Sequence, residues 1–347
     1  MAEDAPGAQP GIDVEGVTAW YKANVADVQP PLAFSRVPGG RSNLTFIVED
    51  AGGRRTVLRR PPVSHLLPTA HDMNREQRIM SALGPSDVPV PPVLGFCADT
   101  EVTGQPFYVM DFVDGLILRS AREASKLTVE QRSTAAESLM DVLGRIHAID
   151  PDDVGLGDLG RKEGYIARQL KRWHGQFTKS KTREVPLVDE MHAWLSDRIP
   201  EQGAAGIVHG DYRLDNTIIG PDGHLRAVLD WELCTLGDRM ADLAMLMVYW
   251  RDRGQGVEPG GRDASTLEGF PVKAELAKKY ADATGADLSN LDYYLAFGWW
   301  KLACIADGVY TRFRSGAMGD DPSYGGADPV PGLAATSRAS ADRYEVR

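Results

Sequence analysis

Val208-His209-Gly210-Asp211-Tyr212-Arg213-Leu214-Asp215-Asn216, followed by Val228-Leu229-Asp230-Trp231-Glu232, is the stretch that decides the fold. Asp211 and Asn216 stand five positions apart, and Asp230 comes nineteen after Asp211, closing the apolar run Ala227-Val228-Leu229. Phosphoryl transfer needs one carboxylate to take or orient the acceptor hydroxyl. It also needs an amide and a second carboxylate to hold Mg²⁺ on the phosphates of ATP or GTP. Asp211 fits the first role, and Asn216 and Asp230 offer the hard oxygens of the second. Taken singly, each has an ordinary explanation: a loop Asp capping a turn, a turn Asn, a strand-end Asp. Those explanations do not account for the joint spacing. His209 reads as a hydrogen-bonding histidine that braces the loop, with a role as base the lesser alternative.

The 347 residues allow one large domain or two lobes with their own cores, and 43% hydrophobic with 25% charged residues is ordinary for a soluble globular protein. The net charge of −11 argues against nucleic-acid backbones as partners and is compatible with a cationic acceptor or simply with an acidic surface. Cys97, Cys234 and Cys304 are scattered and odd in number, which suggests neither a disulfide framework nor a zinc site and makes a reducing cytoplasm the default. Residues 1–11 carry acids and prolines, without a signal-peptide pattern, and read as a disordered leader. The best apolar run, Leu295 to Ala306, is short and contains Lys301, so no membrane span is expected.

From Val14 to Val25 a helix fits. Leu32–Val37, Leu44–Glu49 and Arg55–Arg59 then read as three antiparallel strands separated by Gly- and Pro-containing turns. A helix over 70–83 and two more strands, Val93–Ala98 and Pro106–Phe112, complete a small lobe over residues 12–113. Beyond Gly115 the spacing is helical over 129–148, 164–177, 188–198, 238–250, 271–284 and 291–310. Short strands interrupt it at 217–219 and 225–229. This second lobe spans 114–347, with a loop over 252–270 and an irregular tail from about 315.

Together, His209-Gly210-Asp211 to Asn216, Leu229-Asp230-Trp231-Glu232, and Gly237-Asp238 to Asp242-Leu243-Ala244 resemble the aminoglycoside phosphotransferase and choline kinase-like family. The resemblance runs from about residue 30 to 310. It implies an α+β, two-lobed protein-kinase-like fold, with a small antiparallel-sheet N-lobe, a mostly helical C-lobe and the active site between them. It also implies Asp211 as the catalytic Asp, Asn216 and Asp230 as Mg²⁺ ligands, and Asp242 as a brace for the catalytic-loop backbone. Asp238 is expected to cap the helix it opens.

By the same resemblance, strand Thr56-Val57-Leu58-Arg59 is the one that normally ends in a phosphate-binding Lys; here Arg59 holds that place. On the following helix Met73, Met80 and Leu83 form an apolar stripe, and Glu76 lies on the same face. An acid there needs a cation, and Arg59 is the natural one, with a solvent-edge pairing to Arg75 as the rival. The turn Pro38-Gly39-Gly40-Arg41-Ser42-Asn43 would cover the phosphates, with Ser42 and Asn43 as donors, although a plain hairpin turn predicts nearly the same residues. Adenine would bond backbone near Asp111 and Val113, with Met110 behind it. Trp299, Trp300, Lys301, Asp307, Arg312 and Arg314 fall on the last long helix, where relatives bind acceptors and where packing explains the Trp pair equally well.

The expected activity is therefore γ-phosphoryl transfer from ATP or GTP, with Mg²⁺, to a hydroxyl of a small molecule. An aminoglycoside-like acceptor stands beside choline-like amines, sugars and hydroxyacyl thioesters. A nucleotide-binding pseudokinase and a metal-dependent hydrolase using His209, Asp211 and Asp230 are the rivals from other classes. The oligomeric state is not legible.

Overall fold

The computed structural model describes residues 11–38, 43–62, 72–254, 263–315 and 328–346. Ser42, most of the glycine-containing turn, the leader up to residue 10 and the middle of the 252–270 loop lie outside the described residues. The chain divides into two compact units, one reaching to Asp114 and including Arg226–Glu232, the other holding Gly115–Leu225 and everything from Leu233 onward.

In the smaller unit, α1 (Val14–Asn24) starts where the Asp13 carboxylate accepts the Gly16 N–H at 2.9 Å, which satisfies one of the orphan donors of the first turn. Five strands follow: β1 (Ala33–Arg36), β2 (Leu44–Glu49), β3 (Arg55–Arg60), then, after α2 (Met73–Leu83), β4 (Val93–Cys97) and β5 (Phe107–Asp111). They form one antiparallel sheet in the order β1-β2-β3-β5-β4. Period-two alternation sorts their side chains. Phe46, Val48, Leu58, Phe107 and Val109 join Val17 and Tyr21 of α1 in one core. Val57 and Arg59 therefore point to the opposite face, directly across from Met110 and Tyr108 in the register of β3 against β5. Burying each large apolar side chain is worth about 1.5–3 kcal/mol, so a one-residue slip that turned this set outward would be strongly penalised.

The larger unit begins with α3 (Ala121–Ala124). α4 (Val129–Ala148) is opened by a reciprocal capping box: the Gln131 N–H donates to Thr128 Oγ1 (3.2 Å) and the Thr128 N–H to Gln131 Oε1 (2.8 Å). α5 (Tyr165–Ser180) and α6 (Pro186–Asp197) lead to β6 (Ala205–Val208), then β7 (Thr217–Ile219) and β8 (Leu225–Val228). β9 (Thr235–Asp238) pairs antiparallel with β6. The chain ends in α7 (Met240–Tyr249), α8 (Lys273–Thr284), α9 (Leu291–Arg314) and α10 (Val330–Val346). Tyr293, Phe297 and Trp300 of α9 gather Trp173 and Phe177 of α5, Trp194 and Leu195 of α6, and Leu333 and Ala334 of α10 into the unit's core. No described helix is long and apolar enough to cross a membrane.

Four features differ from the sequence expectation. Residues 226–232 group with the smaller unit rather than with the C-terminal part: the Val228 N–H donates to the Pro89 carbonyl at 2.8 Å and Asp230 pairs with Arg59. Asp238 closes a strand over residues 235–238 rather than opening the helix expected over 238–250, so Arg239, not Asp238, occupies the N-cap of α7. Gly237 allows this strand: an added Cβ would lie 2.2 Å from the Tyr165 ring. The short strand β6 carries too little alternation to stand out. The end of the chain is helical, not irregular. Its Ala and Ser residues let α10 approach α9 closely, and Ser337 Oγ donates to the Ala296 carbonyl at 2.8 Å.

If α10 is an integral part of this core, Leu333→Ala should cost about 2–4 kcal/mol, read as a lower urea midpoint at an unchanged slope.

Candidate active site

The smaller unit gathers four of the residues singled out above. Glu76, on the inward stripe of α2 with Met73, Ile79, Met80 and Leu83, is only 1% exposed. Its carboxylate lies 3.2 Å from Arg59 Nε, accepts the Tyr108 hydroxyl at 3.0 Å and accepts Asn43 Nδ2 at 3.0 Å. The other end of the same guanidinium donates from Nη2 to Asp230 Oδ1. One planar fork therefore serves two carboxylates, which a lysine's single ammonium could not do with the same geometry. Asn43 also reaches Glu232 Oε2 at 3.4 Å. Burial pushes the Glu76 carboxyl above its ordinary range, while Arg59 works against that push. Asp230 sits at φ +66°, a left-handed conformation uncommon outside glycine but tolerated by Asp, and such strain concentrates at functional positions.

Met110 is buried on β5. The Asp111 N–H donates to the Pro92 carbonyl at 2.9 Å, and its carboxylate pairs with Arg54 at 3.1 Å. That amide is thus already paired.

In the larger unit, β6 delivers the chain into the His209–Asn216 loop. Gly210 has φ +86°, and a Cβ there would fall 2.8 Å from the Leu233 carbonyl, so only glycine suits both the turn and the close approach. Asp242 of α7, fully buried, accepts the N–H of His209 at 2.6 Å and of Gly210 at 2.8 Å. His147 of α4 lies 3.4 Å from the same carboxylate and 2.6 Å from the Tyr280 hydroxyl. The His209 ring accepts the Asp211 N–H at 3.3 Å. A 3-10 turn over Leu214–Asn216 brings Asn216 back, so that its Nδ2 donates to both the carbonyl and the Oδ2 of Asp211, each at 2.9 Å. Arg213 reaches Asp211 Oδ2 at 3.1 Å and Asp215 Oδ1 at 3.2 Å. Burial pushes the Asp211 carboxyl up, while Arg213, His209 and Lys301 pull it down.

With Nδ2 of Asn216 turned to Asp211, its amide oxygen is a hard donor of the kind Mg²⁺ takes, and in the smaller unit the Asp230 carboxylate is another. Mg²⁺ takes few protein ligands beside phosphates and water.

A model of the phosphotransferase enzyme family matches residues 33–293. The chain belongs to that family. Rat acyl-CoA dehydrogenase family member 11 is 32% identical over 334 residues, covering 94% of this chain and 43% of the relative. Indeed the chain spans less than half the length of the curated relatives of this type. The crystal structure of a Ralstonia eutropha protein, provisionally named an aminoglycoside phosphotransferase, superposes with TM-score 0.82 at 32% identity, covering 95% of this chain and 98% of that one. Choline kinase from Cryptosporidium parvum shares the fold, at TM-score 0.65 and 12% identity over 96% and 95% of the two chains. As a member of this family, the chain has the α+β protein-kinase-like fold.

Three polar participants escaped the sequence reading. Tyr108 was hidden in an apolar strand, although the register that sets it opposite Arg59 would have exposed it. Arg213 had a signal in the charge alternation Asp211, Arg213, Asp215. His147 reads as one more residue of an amphipathic helix.

Asp242 gives a pH-dependent prediction. Burial raises its pKa, but the hydrogen bond and charge of His147, the charge of His209 and the Gly210 N–H outweigh it and hold the carboxyl below the usual range. The stabilisation is therefore complete above about pH 4, the unfolded value, and is lost as pH falls through the lower folded value. Asp242→Ala should destabilise the protein by about 3–5 kcal/mol at pH 7, because two buried N–H groups lose their acceptor, and the gap to the wild type should narrow in acid when both are unfolded by urea.

Proposed function

We propose that this phosphotransferase moves the γ-phosphoryl group of ATP, or GTP, to a hydroxyl of a small-molecule acceptor. The observation that carries the reading is the catalytic-loop geometry: Asn216 clamps both the carbonyl and the carboxylate of Asp211, fixing an ionisable oxygen beside a potential metal ligand. Asp211 orients the acceptor hydroxyl and takes its proton as the new bond forms. Arg59, aligned by Glu76, steadies the phosphates, and Ser42 and Asn43 lie on the turn expected to cover them. The sheet face bearing Val57, Met110 and the backbone towards Val113 receives the adenine. Asn216 and Asp230 hold the Mg²⁺, which when bound neutralises charge on the transferred group.

For the acceptor, one comparison favours a reading apart from aminoglycosides. The family relatives carry acyl-CoA dehydrogenase names, which favours a hydroxyacyl thioester over a choline-like amine or a sugar. A cytoplasmic location is part of this proposal, consistent with three buried cysteines, none of them in a disulfide. The pseudokinase alternative requires nucleotide binding without consumption.

Asp211→Ala should lower turnover at least ~10²-fold with ATP affinity retained, since a positioned base contributes roughly 10²–10⁴. Calorimetry with ATP and ADP release across hydroxyacyl thioesters, aminoglycosides, amines and sugars tests this; undiminished turnover in that variant would refute the role. Arg59→Ala should instead raise the KM for ATP about tenfold or more, the loss of a charge-assisted contact to phosphate.

A further inference from the structure

Lys301 lies in the middle of α9, in the core of the larger unit, and is 3% exposed. Burying an ammonium is costly, and a core position retains one only when something specific holds it. Its Nζ donates to the carbonyl oxygen of Gly210 at 3.2 Å and stands 5.7 Å from the centre of the Trp173 ring on α5. The charged groups that act on it are Asp211 of the catalytic loop, Asp242 of α7 and Arg172 of α5.

The Gly210 end of this arrangement is what gives it a function. The Gly210 N–H is held by Asp242 at 2.8 Å, and its carbonyl is held by Lys301 at 3.2 Å. Gly210 is the residue with the left-handed φ, and so the one with the most conformational freedom in the loop. Its carbonyl belongs to the peptide unit that also carries the Asp211 N–H, so rotating that peptide would swing the Asp211 side chain. We propose that Lys301 is a positioning residue for Asp211, locking the Gly210–Asp211 peptide by its carbonyl while Asp242 locks the peptide before it. This rests on the reading of Asp211 as the catalytic carboxylate. Lys301 itself touches neither the acceptor nor the nucleotide in this scheme. An amine donates to a carbonyl whether or not it is charged, so the role does not depend on its titration.

The test uses the full chain with ATP and Mg²⁺, turnover being read as ADP release with water as the acceptor. Misplacing a reacting group by about 1 Å costs roughly 10²-fold. Lys301→Met, which keeps the stem and removes the donor, should lower kcat by about that factor with the KM for ATP unchanged within about twofold. Lys301→Arg should restore most of the rate, and adding Lys301→Met to Asp211→Ala should cost little further, because both act on one group. Without any ligand, amide hydrogen exchange over residues 207–213 should quicken in Lys301→Met while the helices around it keep their protection. Should Lys301→Met not fold, Lys301→Leu, which likewise removes the donor, carries the same two measurements. Unchanged kcat with unchanged exchange overturns the proposal. So does a raised KM with kcat intact, which would make Lys301 a ligand contact. If Asp211→Ala keeps its turnover, the catalytic reading of Asp211 fails on its own, while the exchange at 207–213 still decides whether Lys301 holds the peptide.

Discussion

A carboxylate that is fully buried needs several partners, and Asp242 has them in the backbone of the 209–216 loop. It accepts two successive N–H groups, from His209 and Gly210, with His147 close by. Charge-assisted bonds to backbone donors are about twice as strong as neutral ones, and the loop cannot shift without stranding a buried charge. The direction in which Asp211 leaves the chain follows from that anchor. Gly210 is required because the anchored backbone passes the Leu233 carbonyl at a distance that excludes a side chain. The His209 ring then receives the Asp211 N–H, and Asn216 closes the turn from the other side. Sequence neighbours 209, 210, 211 and 216 are thus one hydrogen-bonded object built around a residue more than twenty-five positions away.

The smaller unit solves a related problem with the signs reversed. Its buried cation, Arg59, is shared between Glu76 and Asp230, and Glu76 is further supported by Tyr108 and Asn43. Removing either carboxylate would leave the guanidinium with half its compensation, and removing the guanidinium would leave Glu76 to take up a proton. Arg at this position is more than a substitute for Lys: the fork spans from α2 to the segment ending in Asp230, so it joins two pieces of chain that are 154 positions apart in sequence, from 76 to 230.

Much of this was legible because chemistry at the loop requires particular residue types at fixed spacing. Asp211, Asn216 and Asp230 stood out jointly, and the family model matches a span that contains them. The strand alternation gave the five strands of the smaller unit, and the apolar stripe on α2 identified its buried face, on which Glu76 lies. What escaped had weak local signals. β6 and β9 are four-residue strands stabilised by each other, a long-range pairing that no local pattern encodes. α10 is rich in Ala and Ser and has Pro331 and Gly332 in its first turn, a composition that looks loop-like until a neighbouring helix makes small residues an advantage. Tyr108 and His147 act through partners on other elements, so their importance is a property of the register and the packing rather than of their own surroundings in sequence.

The helix that supplies Lys301 is the one most thoroughly fixed. α9 packs against α5, α6, α7 and α10, and its polar side chains are tied as well: Trp300 Nε1 to the Val188 carbonyl at 3.0 Å, Tyr293 to the Leu195 carbonyl at 2.8 Å, Asp307 to Arg183 at 2.7 Å. A long flexible side chain positions a backbone well only if its own root cannot move, and here the root is the centre of a packed core. α10 packs on α9 and also on α6, so through the rigidity of α9 it bears on the placement of Lys301 against Gly210. Substitutions in α10 should therefore register as lost stability first, with the geometry at Gly210 and Asp211 following only when α9 itself loosens.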